Sequence, residues 1–123
     1  MASTPEVKVK NKIEAALMSL GAVKIIKPIG TSMSAQGVSD MLVCYYGLFF
    51  AIEAKSKGNM PTQMQRKFLH DVLRSGGAVA VVDESNVDGL AQWMQNVADD
   101  ADHPTTYLHK PNALEIKIKK VEL

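Results

Sequence analysis

The chain has 123 residues, a single cysteine and a formal net charge of +1, from 14 Lys/Arg and 13 Asp/Glu. That length suits one domain around one core, spanning residues 1–123. A lone cysteine excludes an internal disulfide, no apolar run reaches the roughly 18 residues of a membrane span, and no signal-peptide pattern opens the chain, so a cytoplasmic protein with no membrane partner is expected.

Val9, Ile13, Ala16, Leu17 and Leu20 recur at helical spacing and predict an amphipathic helix over 6–20, ended by Gly21. Val23 to Ile29 is β-branched, carries Lys24 and Lys27, and reads as a short strand stopped by Pro28. Gly30 to Gly37 has loop composition. Two apolar runs, Met41–Tyr46 and Leu48–Ile52, flank Gly47 and predict an antiparallel hairpin over 40–55, with Cys44 as a small buried hydrophobe.

Lys57 to Pro61 reads as a turn, after which Met64, Phe68, Leu69, Val72 and Leu73 mark a second helix closed by Gly76 and Gly77. Ala78–Val82 is a buried strand by its continuous apolarity. Ser85 or Asn86 is placed to cap a third helix with Val87, Leu90, Met94 and Val97 inside and Trp93 as a packing anchor. Beyond a polar loop, the 106–123 extension holds Leu114–Lys119, which alternates as a half-exposed strand and is free to pair across a sheet edge. The expected class is α/β, a mixed central sheet flanked by helices.

The chemistry gathers around the hairpin. Glu53 and Lys55, two apart on a strand, point the same way and lie roughly 6.6 Å apart. The hairpin brings Asp40 beside Glu53, and two carboxylates at its open end repel unless a cation lies between them. Each residue also has a plainer reading. An E-x-K triplet fits a strand turning charged as it meets solvent. Gln65 fits a capping box with Thr62, and Glu14 fits a solvated helix acid paired with Lys10. His70, His103 and His109 show no metal spacing. Charge is unevenly spread, with ten Lys/Arg against five Asp/Glu in residues 1–75 and none against six in residues 76–109. That suits an anionic polymer bound on one face, and it also occurs in domains that bind no nucleic acid.

The order of elements, with Glu14, Gly37-Val38-Ser39-Asp40, Glu53-Ala54-Lys55 and Gln65 in place, resembles the PD-(D/E)xK nuclease superfamily. Within it, the chain is most similar to the virus-type replication-repair nuclease (VRR-NUC) domains, including stand-alone phage and prophage members, over roughly residues 10–95. The resemblance implies a restriction-endonuclease-like αβββαβ core and a Mg²⁺- or Mn²⁺-dependent deoxyribonuclease. Asp40, Glu53 and the Ala54 carbonyl would be the metal ligands, Glu14 an outer or second-ion acid, Lys55 the lysine that orients the attacking water, and Gln65 its support or a substrate contact. Lys24, Lys27, Lys57, Arg66 and Lys67 are the expected phosphate contacts. Branched DNA such as a four-way junction or flap, and a homodimer, are the partners that the resemblance implies; a non-catalytic nucleic-acid-binding or dimeric assembly module on the same fold is the alternative. Two positions depart from the family pattern, Ser39 standing where a proline is usual and Ala54 where a β-branched residue is, and neither removes a ligand.

Overall fold

The computed structural model describes residues 4–29, 37–99 and 107–108. In chain order these form α1 (Pro5–Met18), β1 (Val23–Ile26), β2 (Met41–Tyr45), β3 (Leu48–Ala54), α2 (Gln63–Arg74), β4 (Ala78–Val82), α3 (Leu90–Asp99) and β5 (Tyr107–Leu108). The strands make one mixed sheet in the order β1-β2-β3-β4-β5. The first two pairings are antiparallel, and β3–β4 and β4–β5 are parallel. The protein is therefore of the mixed α/β class that the sequence predicts. No described helix is long and apolar enough to cross a membrane.

Helix α1 starts where Thr4 accepts a hydrogen bond from the Val7 amide and Pro5 occupies the first turn, a position that needs no amide donor. It stops at Met18 rather than residue 20, with Gly21 in the left-handed region at φ 84°. Strand β1 ends at Ile26, short of the expected Ile29. The β2–β3 turn is Tyr46-Gly47, both at positive φ (49° and 76°), the two-residue turn whose twist matches its strands. Helix α2 opens on the Thr62–Gln65 capping box.

Side chains alternate across the sheet and divide it into two layers. Met41, Val43, Phe50, Ile52 and Ala80 face α1 and α3 and form the larger core with Ile13, Leu17, Leu90 and Met94. Trp93 packs edge-on against Phe50 at 5.8 Å between ring centres, the anchoring role expected of it. Ala51, Val79 and Val81 face α2 and meet Leu69 and Leu73. The same alternation corrects the expectation for Cys44, which is exposed. It lies on the α2 side of β2, beyond the cluster that α2 forms with β3, β4 and Leu42.

Ser85 and Asn86 do not cap α3. Asn86 accepts from the Asp83 amide and makes no cap bond, Ser85 donates to Asp83, and a 3₁₀ turn, Val87–Gly89, leads into the helix. The expected strand Leu114–Lys119 lies outside the described residues, and the described part of that extension is β5 beside β4.

Candidate active site

The hairpin register pairs Met41 with Ile52, so its open end sets Asp40 against Glu53. Glu53 and Lys55 share the face covered by α2, by the alternation that puts Ala51 there. Glu53 is only 2% exposed and Lys55 9%, an unusual placement for two charged side chains.

Three groups surround the Glu53 carboxyl. Its Oε1 accepts a 2.9 Å hydrogen bond from Gln65 Nε2, while Oε2 is buried without a hydrogen-bond partner. Burial, then the negative charge of Asp40 and a hydrogen bond shared with its carboxylate, push the Glu53 carboxyl up to about 9, against the opposing pull of Lys55, so at neutral pH Glu53 carries a proton that Asp40 can accept. Asp40 is itself held in place: its Oδ2 accepts 2.7 Å from the Ala54 amide, and its Oδ1 lies 3.2 Å from the Lys10 ammonium.

Gln65 unites its two sequence readings. Its Oε1 accepts from the Thr62 amide at 2.8 Å, closing the capping box, and this aims Nε2 at Glu53. The segment before Asp40 is fitted just as closely. Gly37 has φ +83°, and a Cβ there would come 2.5 Å from the Met64 carbonyl oxygen, so only glycine allows this loop to touch the first turn of α2. Ser39 is buried with its hydroxyl unpartnered.

A cleft of about 470 Å³ opens beside Asp40, with Lys10, Asn11, Glu14, Lys27 and Ser39 in its walls. Glu14 lies here, and both its oxygens are 3.1 Å from the Lys27 ammonium rather than near Lys10. The structure thus brings Asp40, Glu53, Ala54, Lys55 and Gln65 together and puts Glu14 in the adjoining cleft. The expected phosphate contacts are more scattered. Lys24, Lys57 and Arg66 are exposed. Lys27 is tied to Glu14, and Lys67 to Asp71 at 3.0 Å. At 100° per residue, Lys67 lies on the side of α2 opposite Gln65.

Among the described residues no three His, Cys, Asp or Glu side chains form a metal-ligating group. What converges is a pair of carboxylates with one buried, unpartnered oxygen. Backbone N–H and C=O groups of one strand residue point to the same side, so the Ala54 carbonyl opens toward the edge where its amide meets Asp40. These oxygen donors suit a hard divalent cation that completes its shell with water, such as Mg²⁺ or Mn²⁺, and not a soft one.

Two residues of this region escaped the sequence reading. Lys10 enters there only as a partner for Glu14, and its contact with Asp40 depends on how α1 packs. Asp83 is 3% exposed, follows β4 and stands in register beside Lys55, whose amide donates to Val82. Its Oδ1 accepts from the Ser85 amide and hydroxyl. An acid ending the apolar run Ala78–Val82 was the available signal, the same one that marks Glu53. No family model matches the chain, and no curated protein matches it.

Proposed function

We propose that the chain is a metal-dependent DNA endonuclease on a restriction-endonuclease-like core, hydrolysing phosphodiester bonds, as its resemblance to VRR-NUC domains implies. The observation that carries this reading is the meeting of Asp40 and Glu53 at the open end of the hairpin, with a buried Glu53 oxygen left unpartnered and Lys55 on the same face. Two acids so placed repel, and Glu53 either keeps its proton beside Asp40 or gives it up to a cation held between them.

Asp40, Glu53 and the Ala54 carbonyl are the ligands for Mg²⁺ or Mn²⁺ in this reading. When bound, the ion polarises a phosphate oxygen and lowers the pKa of its water. Lys55 orients the attacking water and offsets charge as it develops on the phosphoryl oxygens. Gln65 fixes the Glu53 rotamer through Oε1, leaving the other oxygen for the ion. Glu14 serves at the outer edge, through water or a second ion. Lys24, Lys57 and Arg66 draw in the phosphate backbone, Lys67 adds charge from the outer side of α2, and Lys27 joins them only when Glu14 releases it. Branched DNA is the proposed substrate, two copies of the chain the proposed assembly, and the cell interior the proposed compartment.

The test is cleavage of single-stranded, duplex, flap and four-way-junction DNA in Mg²⁺, Mn²⁺ or EDTA. Cleavage should need the ion and prefer a branched substrate. Asp40→Asn, Glu53→Gln and Lys55→Ala should each reduce it by about a hundredfold or more while the fold persists. Ion-dependent binding without cleavage of any substrate would favour the non-catalytic module instead.

A further inference from the structure

Four charged residues of the cleft are arranged as two ammonium–carboxylate pairs, Lys10 with Asp40 and Lys27 with Glu14. Both acids belong to the proposed metal site, and both lysines come from outside it, on α1 and just beyond β1. Lys24, Lys57 and Arg66 have no carboxylate within 4.0 Å among the described residues, so their charges stand ready for phosphate whatever the site holds. Lys67 is paired as well, but with Asp71 on the outer side of α2, away from the acids of the site.

We infer that Lys10 and Lys27 act as resident cations of the unloaded site, and that loading it with divalent ions releases both ammonium groups to bind DNA phosphates, so that DNA affinity is switched by metal occupancy. This rests on the metal-site reading above. A carboxylate taken up by a divalent ion has little charge left for an ammonium, and a doubly charged neighbour a few ångströms away repels it. A lysine on a flexible four-carbon stem can turn away without backbone movement. Glu6, 3.7 Å from Lys10, does not hold it back, because an exposed helix-surface pair of this kind is weak. Held against their acids, the two lysines offer a phosphate little net charge.

The salt dependence of binding counts phosphate contacts, each adding about 0.9 to the slope of log K against log salt on B-form DNA. Binding of the full chain to a labelled four-way junction would be followed by anisotropy over a range of monovalent salt, in EDTA and in Ca²⁺. The expected result is a slope steeper by about 1.8 in Ca²⁺ than in EDTA for the parent. Lys10→Gln and Lys27→Gln should each remove about half that gain, and the double variant all of it, with the EDTA slopes unchanged. A gain that survives in the double variant, or an EDTA slope that the double variant already lowers, would overturn the exchange. A gain lost in Lys10→Gln alone would remove Lys27 from it. Thermal unfolding with Ca²⁺ and with Mn²⁺ tells this failure from that of the underlying reading: no melting shift with either ion in the parent overturns both, while a Ca²⁺ shift with unchanged slopes overturns the exchange only.

Discussion

Gln65 uses both ends of its amide, the oxygen to close the first turn of α2 and the nitrogen to hold Glu53. Two substitutions separate these uses. Gln65→Ala removes both and should lower stability by about 1 kcal/mol, the usual cost of a lost cap, as well as slowing cleavage about tenfold. Gln65→Glu keeps an acceptor for the Thr62 amide, and an anion suits a helix N-terminus, but it has no N–H for Glu53. It should melt near the parent while cleaving at least as poorly as Gln65→Ala. Parent-like cleavage in Gln65→Glu would reduce Gln65 to a cap. Asp40, Glu53 and Lys55 were legible in the sequence because strand alternation and a two-residue turn fix where such side chains go. The partners of Lys10 and Lys27 were not, since a long side chain chooses among acids that only tertiary packing brings near.

Among the elements, the hairpin and α2 are locked together by Gly37. Gly37→Ala would combine an unfavourable left-handed backbone with a Cβ driven into the Met64 carbonyl at the start of α2. Gly21 is a built-in control, at φ +84° with nothing within 4 Å of an added Cβ. Gly21→Ala should cost about 1 kcal/mol, from backbone strain alone. Gly37→Ala should cost clearly more and also slow cleavage, because moving Met64 moves Gln65. Equal melting temperatures for the two variants would show that the contact carries no weight. The hydrophobic periods located α1, α2, α3 and the four longer strands, because burial on one face writes its spacing into the sequence. Boundaries were less legible where local polar groups decide them: Ser85 and Asn86 have the composition of caps, yet they serve the turn at Asp83. The exposure of Cys44 was hidden because the width of sheet that one helix covers is not written in β2.

At the scale of the molecule, both faces of the sheet are packed, and the ionisable side chains of Glu53 and Lys55 sit within one of them. With its pKa raised from 4.5 to about 9, Glu53 binds more protons folded than unfolded across that interval. Its contribution to the stability of the cation-free protein is therefore fully present below 4.5 and is lost as pH rises toward 9. Glu53→Gln should lack this part of the decline. A divalent ion that binds only the folded site should offset the decline, more strongly at higher pH because fewer protons compete for the carboxylates. The most direct measurement is thermal unfolding of the parent and Glu53→Gln from acid to alkaline pH, in EDTA, Mg²⁺ or Mn²⁺ at constant ionic strength. The parent in EDTA should lose melting temperature with rising pH, Mn²⁺ should restore it, and Glu53→Gln should be less pH-dependent and insensitive to the ion. Equal ion-induced shifts in the two proteins, or no shift in the parent at millimolar Mn²⁺, would contradict the metal-site reading.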